Sequence, residues 1–359
     1  MPLDLTSDMD KQQEKLNRLA QPLLNWYGEN RRKLPWREEV SAYRTWVSEI
    51  MLQQTRVSAV IPYFERFLSA YPTVEALADA REAQLLKLWE GLGYYSRARN
   101  LQKAAKIIAH TYHGQFPQTY EALMALPGIG DYTAGAILSI AFHQPIPAVD
   151  GNVLRVAARI TGDERNVLDG KVRADFRKRM AKAMPKEHSG AFNQALMDLG
   201  ATICLPNGAP VCAECPARDF CDAYATNRQK IIPVREKSTA KRAERKTVFL
   251  LRRGDAIALR QRPDSGLLAR LWEYPHVDGI LDESAAAAQL ADWGITPHKW
   301  LKSIQFKHEF THIRWEMVGY ILEITGDGPT GWVWADRELR RQCAIPSAFE
   351  KLTRESEEQ

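Results

Sequence analysis

The sequence predicts a multidomain chain, an all-α half followed by a small α+β domain, and three observations carry that expectation. Apolar residues recur at three- and four-residue intervals from Gln12 to about Ala225, between Pro and Gly breaks. The pattern then gives way to basic, poorly periodic sequence from Asn227 to Lys246. Beyond it, short apolar runs with strand character alternate with turn residues. A chain of 359 residues has room for about two domains, each large enough to bury a core.

In the helical half, Val74 to Trp89, Ala98 to His110 and Lys171 to Met184 show the helical period. The basic stretch sets Arg228, Lys230, Arg235, Lys237, Lys241, Arg242, Arg245 and Lys246 against Glu236 and Glu244. It reads as a linker; such runs are more often solvated than binding, although a basic linker can also lie along phosphates. Next, Thr247 to Leu251 and Ala256 to Arg260 flank Arg252, Arg253, Gly254 and Asp255, a hairpin pattern. A helix is expected from Asp282 to Trp293, and further strands at Ile313 to Ile324 and Trp332 to Trp334, which completes the α+β domain. The expected limits are residues 1–225 for the helical domain, 226–246 for the linker and 247–359 for the second domain. No internal repeat or low-complexity tract interrupts this layout.

The net charge of +5 fits a polyanionic partner, but an excess of this size is common in proteins that bind no nucleic acid. No stretch is long and apolar enough to span a bilayer, so a soluble protein is expected, and no apolar leader follows Met1; the further expectations are a cytoplasmic location and a monomer. Cys204, Cys212, Cys215 and Cys221 are spaced C-x7-C-x2-C-x5-C, with Cys343 the one other cysteine. That is a poor disulfide framework and a good metal site in a reducing compartment. All-cysteine ligation suits a 4Fe-4S cluster or structural zinc, and spacing does not choose between them.

Three further groups carry chemistry. Leu126-Pro127-Gly128-Ile129-Gly130 precedes the helical run Tyr132 to Phe142; its glycines allow a sharp turn that exposes amides to a phosphate, or simply link two helices. Asp150, in Val149-Asp150-Gly151-Asn152, stands at the N-cap of the helix Val153 to Ile160. It is either a plain cap or a carboxylate that the amides and helix dipole keep ionised beside a developing positive charge. Glu49 lies among Trp46, Ile50 and Leu52, where desolvation raises a carboxyl pKa toward that of a neutral-pH proton donor; the bland alternative is a solvent-facing Glu. Gln53, four residues on, shares its face. An acid for the leaving group and an anion beside an oxocarbenium ion are what cleavage of an N-glycosidic bond needs.

With these motifs in order, the chain resembles the MutY-type adenine DNA glycosylases of the helix-hairpin-helix superfamily, which also contains endonuclease III. The resemblance runs from about Leu34 to Phe349. It includes Leu34-Pro35-Trp36-Arg37, Ser48-Glu49-Ile50-Met51-Leu52-Gln53-Gln54-Thr55, Gly91-Leu92-Gly93-Tyr94-Tyr95-Ser96, the Gly128–Gly130 hairpin, Val149 to Asn152, Asn193 to Gly200, the four cysteines and Phe310-Thr311-His312. It implies a 4Fe-4S cluster rather than zinc, and removal of adenine opposite 8-oxoguanine or guanine in duplex DNA, in a bacterial-like, nucleoid-associated setting. It implies that Glu49 protonates adenine N7 and that Asp150 stabilises the sugar cation, with a transient covalent bond left open. It places Tyr132 and Asn152 around the sugar and Asp150, and Leu34, Trp36, Arg37, Gln194 and Asp198 around the flipped adenine. Gln53, with Gln54 beside it, and Tyr94 match residues that enter the base stack. For Trp36 and Tyr94, core packing is the competing role.

The C-terminal domain resembles the Nudix fold, with Ser265 to Pro275 similar to the start of a Nudix box. Its acidic, cation-holding half is missing: Leu281 to Leu290 offers Asp282 and Glu283 alone, too few carboxylates for a pyrophosphatase. The resemblance therefore implies recognition of 8-oxoguanine by Phe310, Thr311 and His312, with Thr311 in place of the family's Ser. Three departures stand out. The Cys204–Cys212 loop is one residue longer than usual and lacks the usual basic residues. Arg270 occupies a position where Gly is common, which adds a phosphate contact or crowds the DNA. Tyr132 replaces the Lys with which bifunctional relatives form a Schiff base, so water is the expected nucleophile. The competing functions are a glycosylase for another lesion, such as an oxidised pyrimidine, a non-catalytic DNA-binding or redox-sensing module, and a Nudix hydrolase. The missing Lys, the Glu49 and Asp150 pair, and the absent acidic box weigh against each in turn.

Overall fold

A computed structural model of the protein describes residues 5–236 and 241–357. Two compact units emerge, Met1–Asp79 with Asn100–Lys237, and Ala80–Arg99 with Ser238–Gln359.

The first unit is helical, as its period requires. Its core gathers around the helices Gly151–Thr161 and Ser189–Thr202, with Val153, Val156, Phe192, Leu196 and Leu199 buried together. Two glycines let the Ser189–Thr202 helix approach its neighbours. A Cβ on Gly190 would lie 2.6 Å from the Ser139 carbonyl oxygen, and one on Gly200 would lie 2.7 Å from the Asn152 Cβ. The helix carrying Glu49, Ala42–Leu52, packs against Asp131–Ile140. Truncating a fully buried leucine such as Leu196 to Ala would cost about 2–5 kcal/mol.

The periodic stretch Val74 to Trp89 is not one helix. Thr73 caps Val74–Ala78, the chain turns extended at Arg81, and a new helix Glu82–Leu88 follows, on the far side of the division between units. Apolar residues continue at helical intervals across the break, so the period hides it.

The expected linker is shorter than 226–246. Ile232 is buried in the first unit's core, Arg159 Nε donates to the Ile232 carbonyl at 2.8 Å, and Val167 N donates to the Val234 carbonyl at 3.1 Å. Lys237 lies outside the described residues. Arg242–Lys246, read as linker for its charge, opens a strand because its backbone pairs in parallel with Ile313–Met317.

The second unit is a seven-stranded mixed sheet: β1 (Arg242–Arg253), β2 (Ala256–Gln261), β3 (Trp272–Glu273), β4 (His276–Asp278), β5 (Thr296–Glu309), β6 (Ile313–Thr325) and β7 (Trp332–Ala335). The order is β3-β2-β1-β6-β5, with β4 also on β1 and β7 also on β2. The β1–β2 hairpin forms as expected. Val248 and Leu250 face a cluster containing Leu352, while Phe249 and Leu251 face one containing Ala286 and Leu290. Burial on both faces is why β1 reads as an unbroken apolar run. The helix Glu283–Asp292 follows its Asp282 cap. Strand β5 left no sequence signal: it carries Lys299, Lys302 and Lys307 at a sheet edge, and its register slips twice, breaking the two-residue alternation.

Ala80–Arg99 joins this unit through polar contacts. Lys87 Nζ donates to the Cys343 carbonyl at 3.0 Å, and Ile345 N donates to Glu90 Oε1 at 2.7 Å. Arg270 has φ +58, a backbone that favours glycine, and its guanidinium is engaged by Glu82 at 2.8 Å and Asp264 at 3.3 Å.

Candidate active site

A cavity of about 670 Å³ opens in the first unit. It is bordered by Leu34, Trp36 and Arg37, by Thr45, Ser48 and Glu49, by Gln53 and Gln54, by Tyr132, Asp150 and Asn152, and by Gln194. Residues as far apart in the chain as 34 and 194 thus border one volume.

Glu49 is 5 % exposed, on the buried side of its helix. The Tyr132 hydroxyl donates to its Oε2 at 2.5 Å. Burial pushes the Glu49 carboxyl up to about 7; the Tyr132 hydrogen bond opposes this, Asp150 adds to it, and Arg37 opposes it. Glu49 therefore exchanges a proton near neutral pH.

Asp150 caps the helix Gly151–Thr161. Its Oδ1 accepts from Asn152 N at 2.9 Å and Val153 N at 2.8 Å, and its Oδ2 accepts from Asn152 Nδ2 at 2.9 Å. The cap and the functional role are therefore compatible in one side chain. Burial outweighs these donors and moves the carboxyl above its ordinary value, against the direction in which the amides and Asn152 pull it. Three donors on its two oxygens still match the carboxylate form.

Two positive-φ residues border the cavity or the hairpin tip of the other unit. Gln54 has φ +62 and Tyr94 has φ +46, a conformation that non-glycine residues adopt rarely and often at functional sites. Tyr94 is 45 % exposed, and its hydroxyl lies 3.0 Å from Thr311 Oγ1 within the second unit. Thr311 and His312 are exposed on the tip between β5 and β6, while Phe310 anchors it with its ring centroid 5.0 Å from that of Trp315.

Asp198 is not on the cavity wall. It is 0 % exposed and held from behind by Arg37, at 2.7 and 3.0 Å, and by Arg32 Nε at 2.6 Å. Burial alone would raise its carboxyl, and the two guanidiniums more than reverse that. Its place is to hold Arg37. Gln194 accepts from the Tyr27 hydroxyl at 2.6 Å, and Trp36 both borders the cavity and packs on Phe64 at 5.4 Å.

Gly128, at φ +79, turns where a Cβ would lie 2.8 Å from the Asn100 Cβ, and Gly130 caps Asp131–Ile140. That leaves first-turn amides at a helix N-terminus, as a phosphate would need.

The four cysteines Cys204, Cys212, Cys215 and Cys221 border a cavity of about 30 Å³ together with Leu199, Ile203 and Arg159. Arg159 NH1 donates to Cys204 Sγ at 3.3 Å. Burial is the main cause that pushes Cys215 up to about 12 and Cys221 up to about 11. Among the described residues, no three Cys, His, Asp or Glu side chains gather as one metal ion would need. Cys343 lies buried in the second unit.

Sequence reasoning missed Arg155. From one guanidinium it donates to Asn152 Oδ1 at 2.8 Å, the Gly200 carbonyl at 2.7 Å and the Cys204 carbonyl at 2.8 Å, tying the residue beside Asp150 to the cysteine loop. Arg155 and Arg159, four apart on a helix that is otherwise apolar inward, were the signal available.

Comparison with known proteins agrees with both halves. Residues 47–182 match the HhH-GPD superfamily of base excision DNA repair proteins, and residues 247–355 match the NUDIX domain. The chain is 35% identical to an adenine DNA glycosylase of Buchnera aphidicola subsp. Baizongia pistaciae, over 92% of this chain and 95% of that one. It is 34% identical to the adenine DNA glycosylases of Rattus norvegicus, over 94% of this chain and 77% of that one, and of Homo sapiens, over 92% and 72%. A thermostable thymine-DNA glycosylase is similar in structure, with TM-score 0.54 and 26% identity over 59% of this chain and 98% of that one. Endonuclease III trapped covalently on DNA shares the fold, with TM-score 0.52 and 24% identity over 60% and 98%. No described helix is long and apolar enough to cross a membrane. Two domain matches in the expected order, and likeness over more than nine-tenths of its length, show that the chain belongs to the adenine DNA glycosylases, enzymes of base excision repair.

Proposed function

We propose that the chain hydrolyses adenine from duplex DNA where it stands opposite 8-oxoguanine or guanine, and that it does so without cutting the strand. The observation that carries this is the convergence of Glu49, Tyr132 and Asp150 on one cavity. Flipped adenine enters between Leu34, Trp36, Arg37 and Gln194. Glu49, protonated in part at neutral pH because it is buried, passes its proton to N7 as the bond between N9 and C1′ breaks. The Asp150 carboxylate stands beside the sugar cation. Water adds to C1′, its proton returns to Glu49, and the abasic sugar and neutral adenine leave. Tyr132 has no amine with which to open the sugar.

Gln53, with Gln54 beside it, enters the base stack, as does Tyr94 of the second unit, and amides at Gly128 and Gly130 hold a phosphate. The Phe310, Thr311 and His312 tip meets the opposite base. Cys204, Cys212, Cys215 and Cys221 hold a 4Fe-4S cluster: all four border one small cavity, and, one extra residue in the first loop aside, their spacing and place in the chain match the cluster loop that the family resemblance implies. The group would serve structure, bracing the loop that Arg155 and Arg159 grip.

The test is to incubate the full chain with duplexes that hold adenine opposite each normal base and opposite 8-oxoguanine, then score abasic sites. Release opposite 8-oxoguanine and guanine, with little opposite thymine, is expected. Absence of adenine release from every duplex would overturn the proposal.

A further inference from the structure

The basic stretch after the cysteines reads as a linker in the sequence, yet its first part is fixed on the helical unit. Arg159 Nε donates to the Ile232 carbonyl at 2.8 Å, Val167 N donates to the Val234 carbonyl at 3.1 Å, and Asn166 exchanges two hydrogen bonds of 3.3 Å with the backbone of Glu236. Arg235 stands between these anchors, so the fold decides where its side chain begins. The side chain is exposed, and among the described residues it has no hydrogen bond or ion pair. It reaches Gly151, which borders the catalytic cavity next to Asp150: a Cβ on Gly151 would lie 4.0 Å from Arg235 Nη2. A second arginine shares this rim. Arg173 borders the cavity and its Nε donates to the Val167 carbonyl at 2.9 Å, so Val167 joins the two arginine-bearing segments.

An exposed arginine is ordinarily just solvated. Arg235 differs because its place is fixed and its charge goes unanswered. Burial lowers the pKa of Arg155, and the charges of Arg159 and Arg235 lower it further, against Cys204 and Asp150. Asp150 does not neutralise Arg235, since its two oxygens are taken by Asn152 and Val153. The rim of the cavity beside Asp150 thus keeps positive charge that suits an anion.

The proposed reaction, on which this inference rests, brings one. A nucleotide carries a phosphate on each side of its sugar, and turning adenine out of the stack moves those phosphates with it. A phosphate held at the rim fixes C1′ relative to Asp150, and a guanidinium fork matches phosphate oxygens in pairs. We infer that Arg235 binds a backbone phosphate flanking the flipped adenosine and so sets its sugar against Asp150.

The test compares the full wild-type chain with Arg235→Gln and Arg235→Lys on a duplex holding adenine opposite 8-oxoguanine. For binding, the adenosine carries a 2′-fluorine, which destabilises the sugar cation and keeps the base in place. Arg235→Gln should bind about tenfold more weakly, the effect of losing one charge-assisted hydrogen bond, and the log–log dependence of its affinity on salt should flatten by about 0.9. Arg235→Lys should recover the salt dependence. Replacing one of the two flanking phosphates by a neutral methylphosphonate should weaken wild type about as much and Arg235→Gln little further. The melting temperature should not change, since no protein partner is lost, and single-turnover excision at saturating unfluorinated duplex should slow. Unchanged affinity and salt dependence in Arg235→Gln, losses that simply add at both flanking phosphates, or excision at the wild-type rate would overturn the inference. If wild type releases no adenine from any duplex, the proposed function fails, and the binding cycle still decides whether Arg235 holds the phosphate.

Discussion

Glu49→Gln should separate what burial does for chemistry from what it does to stability. The carboxyl rises from an ordinary 4.5 to about 7. At pH 7 about half the molecules then carry the proton, against about one in three hundred for an unperturbed glutamate. The same shift penalises the fold. Between about pH 4.5 and 7 the folded chain binds more protons than the unfolded one, so wild-type stability falls as pH rises. The penalty is absent below the unfolded pKa and complete above the folded one, where it reaches about 3 kcal/mol. Glutamine has no charge to desolvate, and its amide oxygen can still accept from the Tyr132 hydroxyl. The variant should therefore match wild type near pH 4 and exceed it by up to about 3 kcal/mol near pH 9, while adenine excision falls at least about a hundredfold. Denaturation curves across this range, with single-turnover excision on a duplex holding adenine opposite 8-oxoguanine, read both quantities. A stability difference that does not grow with pH would refute the burial argument, and normal excision would refute the acid role.

Tyr132→Phe removes a hydrogen bond that lowers the Glu49 carboxyl, so the alkaline limb of the excision profile should move to higher pH; movement in the opposite direction would contradict the geometry. Base release should leave the strand intact until heat or alkali is applied, and efficient borohydride trapping at the rate of base release would speak against a water-only reaction. Anaerobically prepared protein should be brown and hold iron and acid-labile sulfide on Cys204, Cys212, Cys215 and Cys221; stoichiometric zinc without iron would exclude the cluster. Thr311→Val should weaken the preference for 8-oxoguanine over guanine by about one hydrogen bond, roughly 1 kcal/mol. Because Thr311 also meets Tyr94, Tyr94→Phe is its control: an equal loss in both single variants and the double would assign the effect to the pair rather than to base reading.

Much of the site was legible because its chemistry is written in short segments. Glu49 on an apolar helix, Asp150 before a helix start, and four closely spaced cysteines each declare a type of environment from local neighbours. Strand β1 was legible for a similar reason, since burial on both faces leaves a continuous apolar run. Strand β5 was not, because its lysines and register slips erase the alternation by which a strand is recognised.

By itself the sequence determined the order of helical and mixed domains and singled out the candidate acid, cap and cysteine side chains, because periodicity and residue chemistry are local. Tertiary structure alone decided which partners those side chains meet. Asp198 sits behind Arg37 instead of on the cavity wall because Arg32 and Arg37, far away in the chain, claim both its oxygens. Ala80–Arg99 groups with the C-terminal unit, and Tyr94 meets a hydroxyl 217 residues away. The Glu49 pKa depends on burial by surrounding elements and on Tyr132 from another helix. Period and motif tell which face of an element is turned inward; which partner waits there is set by packing between distant segments, and on that partner depend the charge and orientation of the side chain.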